Sequence, residues 1–159
     1  MKRIICILLG LLMLLSLMGC RKSEKQADLY KYIEVDMAEL AKLEEKMIKS
    51  YESVTGENYA SDYDTYVELS EITIVLAREL NDEVLDLSYE ITDDELLEVH
   101  RIYMNYCSKF LSALGMIITA IENQDYTQIS EANEKLNEAN NFALDYRRAL
   151  DDLAEKYDY

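Results

Sequence analysis

The chain has 159 residues, 50% of them hydrophobic and 30% charged, with no Pro, no Trp, 4 Gly and 13 Tyr. Its 16 basic residues against 32 acidic ones give a formal charge of −16. That composition fits a single domain that is too apolar for a disordered acidic tail, too acidic for nucleic-acid binding, and too poor in Gly and Pro for a β-sandwich or barrel.

In chain order, the first element is an export segment. Met1-Lys2-Arg3 is a basic start, and Ile4 to Met18 is apolar apart from Cys6, Gly10 and Ser16. This run falls short of the roughly 20 residues that a permanent membrane helix needs. It closes on Leu17-Met18-Gly19-Cys20. These four residues, behind a basic start and an apolar run, resemble the lipobox of bacterial lipoproteins. The resemblance implies a signal peptide over 1–19, cleaved before Cys20. It also implies lipidation of Cys20 with acyl chains such as palmitate, and a position on the outer face of the bacterial cytoplasmic membrane. A plain secretory signal or a short anchor with an incidental Cys is the ordinary alternative.

Cleavage would leave residues 20–159; losing Lys2 and Arg3 but no acid, they carry −18. Two or three acyl chains hold such a chain firmly, at about 0.8 kcal/mol per buried CH₂. Cys107 is then the one Cys besides the lipidated one, which leaves no intramolecular disulfide, and its apolar surroundings read as a small buried hydrophobe.

Residues 20–27 read as a polar tether, and 28–159 as a helical domain. Leu29, Ile33, Met37, Leu40, Leu43, Met47, Tyr51 and Val54 recur at steps of three and four, which predicts a helix over about 28–54. Gly56 is placed to end it in a left-handed cap. A second helix, about 62–87, starts after Ser61 with Asp62 and Asp64 at its positive end. Ile72-Thr73-Ile74-Val75 has strand propensity, but the helical period runs through it.

Thr92-Asp93-Asp94-Glu95 has the form of a capping box, with Thr92 as cap and Glu95 reaching back. It opens a third helix, about 93–122, whose stripe runs through Leu96, Val99, Tyr103, Cys107, Phe110, Leu114 and Ile117. Gly115 inside it costs about 1 kcal/mol relative to Ala, which suggests that a neighbouring helix comes close. Asp125 with Gln128 caps a fourth helix, about 126–157. There Ile129, Ala132, Leu136, Ala139, Ala143, Tyr146, Leu150, Leu153 and Tyr157 hold a 3.5-residue period. The short breaks favour an all-α, antiparallel up-down-up-down four-helix bundle over one long coiled coil, roughly 40 Å in length. The fourth seam could also serve a second copy.

In that topology the breaks at 55–61 and 122–125 lie far from the membrane, and the break at 88–92 and the C-terminus lie near it. Residues 51–100 hold Arg78 against 15 acids. The densest acids, Asp82, Glu83, Asp86, Glu90, Asp93, Asp94, Glu95 and Glu98, would flank the near end. Arg21, Lys22 and Lys25 would sit at the lipid surface. The plain meaning of the acids is a solvated surface; the sharper ones are a patch for a basic partner or a weak cation site.

Tyr51, Tyr59, Tyr63, Tyr66 and Tyr126 cluster at the two distal breaks, where rigid rings with a hydroxyl suit recognition. Elsewhere a Tyr reads as an ordinary bundle residue with its hydroxyl at a wet edge. A glycan or solute pocket would instead be lined by Tyr103, Tyr106 and Tyr146.

Catalysis finds little support. There is no nucleophile elbow, phosphate loop or dinucleotide fingerprint. His100 lacks companions for a zinc site, and Leu97 stands where a Glu-x-x-His di-iron motif needs Glu. No cofactor and no metal are expected. The chain is similar to small lipoproteins of Gram-positive bacteria. It is expected to be a non-enzymatic interaction module for an envelope partner, or alternatively a binder of cell-wall glycan or a small solute.

Overall fold

The computed structural model describes residues 24–159, so the export segment and Cys20 lie outside the described residues. The fold is all-helical, and no strand occurs among the described residues. Four long helices succeed one another: α1 over 24–53, α2 over 62–90, α3 over Asp94–Asn123 and α4 over Thr127–Lys156. A short 3-10 turn, Gly56–Asn58, sits between the first two.

Two features depart from a plain helical reading. α1 contains a π turn at Tyr32–Asp36, and α2 contains another at Leu69–Thr73. Each inserts one residue into the α period and rotates the downstream residues by about 100°. In α1 this lets Leu29 and Tyr32 share the interior with Leu40 and Met47. In α2 the Thr73 hydroxyl donates to Glu68 O, five residues back, at 3.2 Å. Its oxygen also lies 2.7 Å from Ser50 Oγ of α1, so the turn is held by a partner on the neighbouring helix. The β-branched stretch 72–75 is thus helical, and the π turn ends within it at Thr73.

Local corrections have the same origin. The expected tether residues 24–27 are already helical, because Lys25 and Gln26 find partners on other segments. α2 runs to Glu90. The cap of α3 is Asp93 rather than Thr92: its side chain accepts from Leu96 N at 2.9 Å, and Glu95 turns away to lysines. Gly56 does adopt a left-handed φ of 59°, but in the turn beyond the helix rather than as its cap. α3 ends on left-handed Gln124, φ 55°, without a glycine. Gly115 makes no close approach, since a Cβ there would meet nothing within 4 Å. At α4, Asp125 accepts from Thr127 N at 3.2 Å, while Gln128 Nε2 donates to its carboxylate and the Asp125 N–H goes to Ala120 O instead of to Gln128.

The interior is built mainly on α3, which packs most extensively on α4 and next on α2. Ala132 and Ala139 are fully buried and let α4 approach α3. Among the described residues, Asp94–Asn123 alone is long and apolar enough to cross a membrane, by length and composition. Its apolar stripe is buried within the protein, with Leu114, Ala113 and Ala120 at 0% exposure.

The contacts also bring chain segments together. Thr65 of α2 donates to Val54 O at 3.0 Å, and Tyr126 reaches Asp62. Lys25 joins Asp93, Glu95 and Tyr157, while Tyr159 donates to Glu34 at 2.8 Å.

Candidate functional site

The segment from Tyr51 to Asp62 is shaped by its own polar side chains. Thr55 Oγ1 donates to Tyr51 O at 2.8 Å, and Asn58 Nδ2 to Glu52 O at 2.9 Å. Ser61 then caps α2, accepting from Asp64 N at 3.1 Å. That cap holds Asp62 in the first turn, where its charge suits the helix dipole.

Asp62 is the hub. Its Oδ1 accepts from the Tyr59 hydroxyl at 3.0 Å, and its Oδ2 from the Tyr126 hydroxyl at 2.5 Å. These bonds to a carboxylate favour the neutral phenols and raise both tyrosines above the ordinary 10. Tyr59 and Tyr126 are each 53% exposed, so their rings form a rim. Behind them opens a cavity of about 690 Å³. Tyr51, Val54, Ile117, Ile121, Ile129 and Asn133 are among its walls, with Thr55, Gly56 and Thr65. Tyr51 is half-buried, edge-on to Phe110 with ring centroids 5.6 Å apart, and burial raises its hydroxyl too.

Two further hollows adjoin it. One, of about 390 Å³, lies beyond the shared residues Asp62 and Ile121 and takes in Tyr63, Tyr66 and Glu122. The other, of about 610 Å³, shares Tyr51 and Asn133 and continues past Leu136, Asn137 and Asn140 over Phe110. All five tyrosines singled out in the sequence therefore line adjoining hollows. Tyr63 is the most open of them at 75% exposure. Asp62 was legible only as a helix-start residue, and nothing local marks it as the link between two loops. Asn133 and the three isoleucines carry no sequence signal beyond helical period.

The other candidates resolve differently. Tyr103, Tyr106 and Tyr146 pack on one another, with centroids 5.5 Å and 5.0 Å apart, and fill the space where a pocket was weighed. Tyr103 donates to Glu44 at 2.8 Å, and burial pushes the Tyr146 hydroxyl up to about 12. His100 is fully buried in α3. Its Nε2 donates to Val84 O at 2.8 Å, so Nδ1, at 3.0 Å from the Tyr32 hydroxyl, accepts. Tyr32 in turn lies 3.1 Å from the Tyr146 hydroxyl. Cys107 is buried, and burial raises its thiol. Among the described residues no three His, Cys, Asp or Glu side chains gather to hold a metal ion.

The acidic stretch 82–98 is partly neutralised. Lys25 pairs with Asp93 at 2.9 Å and Glu95 at 2.8 Å, and Lys156 pairs with Glu95. Lys25 is engaged by these acids and by Tyr157. Glu98 pairs with Arg101. Asp82, Glu83, Asp86, Glu90 and Asp94 remain on the exposed surface.

Comparison of the chain with protein-family models, with curated proteins and with solved structures finds no match.

Proposed function

We propose that this chain is a lipid-anchored protein of the outer face of a bacterial cytoplasmic membrane, held by acyl chains on Cys20. In this reading its four helices alternate in direction as an antiparallel bundle and present a recognition site at the end away from the lipid. It is a binding module rather than an enzyme, and its partner is a protein of the envelope.

The observation that carries the reading is the convergence of Tyr51, Tyr59 and Tyr126 with Asp62 on an open cavity of about 690 Å³. That volume lies within the range of about 300–1,000 Å³ usual for ligand sites, and tyrosines supply contact area at little entropic cost. Support for the alternation comes from the two sets of contacts: Tyr126 with Asp62 on one side, Lys25 with Asp93 and Tyr157 on the other. Support for anchoring is the Leu17-Met18-Gly19-Cys20 pattern itself. Binding is favoured over catalysis because His100 spends both ring nitrogens inside the core and Cys107 is buried.

Two measurements test this. Radiolabelled palmitate should enter the full chain and not the Cys20→Ser variant; label on both sinks the anchor. Chemical cross-linking in intact cells should yield one dominant envelope protein, lost on joint Tyr59→Ala and Tyr63→Ala. A cross-link indifferent to those changes moves the site elsewhere.

A second reading, glycan binding, is favoured by one feature. Asn133, Asn137 and Asn140 line the hollow beside Tyr51, and amides donate to and accept from hydroxyls. Co-sedimentation with purified peptidoglycan, reduced by Asn137→Leu, would support it over the protein partner.

A further inference from the structure

The lining of the distal cavity has a specific chemistry. It carries one carboxylate, Asp62, and three phenol rings, Tyr51, Tyr59 and Tyr126, with Val54, Ile117, Ile121 and Ile129 as apolar wall; of its neutral polar groups Thr55, Thr65 and Asn133, the two threonine hydroxyls already donate to Tyr51 O and Val54 O. No Lys or Arg is among its lining residues. The Asp62 carboxylate is held in place by two hydroxyls, at 3.0 Å and 2.5 Å, which leaves its charge fixed at the mouth between two rings. An anion would meet uncompensated repulsion there. A neutral apolar group would gain from the walls but leave the carboxylate without a counter-charge. A group with positive charge spread over an apolar surface suits the carboxylate, the aromatic rings and the aliphatic wall together.

From this convergence we propose that the cavity binds an organic ammonium group, with Asp62 as counter-ion, Tyr59 and Tyr126 as flanking rings, and the uncharged remainder of the ligand on the isoleucine wall. This rests on the reading of the cavity as a recognition site and names the ligand chemistry of that site. An alkylammonium can come from a quaternary headgroup or from the lysine side chain of a protein, and the ring-and-carboxylate chemistry serves both.

The test uses the full chain in detergent, with binding followed by NMR shifts of the Ile117 and Ile121 methyl groups. Four probes are titrated: choline, its neutral carbon isostere 3,3-dimethylbutanol, Nα-acetyl-lysine amide and acetate. Choline or the lysine amide is expected to saturate at millimolar concentration, about tenfold tighter than the neutral isostere, with acetate silent. Asp62→Asn should lose that preference while the far-ultraviolet helix signal stays, since Ser61 and not Asp62 caps the helix. Tyr59→Phe keeps the ring and should bind, whereas Tyr59→Ala should weaken the complex. Preference for choline assigns a quaternary headgroup; preference for the lysine amide assigns a peptide. Equal binding of choline and its neutral isostere, indifference to Asp62→Asn, or shifts confined to other residues overturns the proposal. Failure here with the Tyr59- and Tyr63-dependent cross-link intact removes the ammonium chemistry and leaves the recognition site standing.

Discussion

The Tyr32 hydroxyl and His100 Nδ1 lie 3.0 Å apart in the interior, 68 positions apart in sequence, and they orient each other. His100 Nε2–H is committed to Val84 O, a pure acceptor, so Nδ1 carries the lone pair and Tyr32 donates to it. The tautomer and the hydroxyl rotor are thus set by one carbonyl, while burial keeps the imidazole neutral.

A pH dependence results. Burial lowers His100 below its ordinary 6.5. Below pH 6.5 the unfolded chain takes up a proton that the folded one resists, so stability rises with pH in that window and falls as acid is added. The thermal midpoint of the native protein should drop from about pH 7.5 to about pH 5.5, before the carboxylates titrate. His100→Leu should start lower, by about 1–3 kcal/mol for each stranded polar group, and then change less over the same range. A variant with the native slope would assign the effect to another group.

Gly115→Ala should stabilise the fold. A Cβ at this site meets nothing within 4 Å, so the substitution brings helix propensity without a clash. The expected gain is about 0.5–1 kcal/mol in urea unfolding, with an unchanged slope. A loss would mean that α3 has a close neighbour there after all.

Glu95 ties α3 to Lys25 of α1 and Lys156 of α4. These lysines hold its carboxyl down at about 2 against an ordinary 4.5. Its contribution is complete above pH 4.5 and is lost as pH falls from there towards 2. The side chain is 41% exposed, so solvent screening limits the effect at neutral pH to about 1 kcal/mol or less. Glu95→Gln should lower the midpoint slightly at pH 7 and flatten the acid limb; a steeper acid limb would contradict the pairing.

Cys107 is expected to be chemically silent while the protein is folded. It is 3% exposed, and its thiol is raised by burial and by the charge of Glu44. With Cys6 and Cys20 both replaced by Ser, an aromatic disulfide reagent should react only at the rate of unfolding, and at once in denaturant. Rapid labelling of the native protein would show an open path to the site.

How far the sequence reached can be judged residue by residue. The stripe Leu96, Val99, Tyr103, Cys107, Phe110, Leu114 and Ile117 is buried as the period predicts. The α4 positions Ala132, Ala139 and Leu153, and Tyr157 just beyond its end, are too. Tyr32 and His100 escaped, since each looks polar and each becomes a core residue only because the other is there. Tyr63 is exposed, because the π turn at Leu69–Thr73 takes it off the face that Ala77 and Leu80 bury.

The sequence by itself determined that the chain is helical, about where its four helices break and which stripe of α3 turns inward. Those properties depend on residues three or four apart, and a linear reading contains them. Only the tertiary structure decided that Asp62 would bridge Tyr59 and Tyr126, that Lys25 would leave the tether for Asp93, and that two helices would each take in an extra residue. Every one of these rests on a hydrogen-bond partner from another helix or loop, and such a partner exists only once the helices have packed.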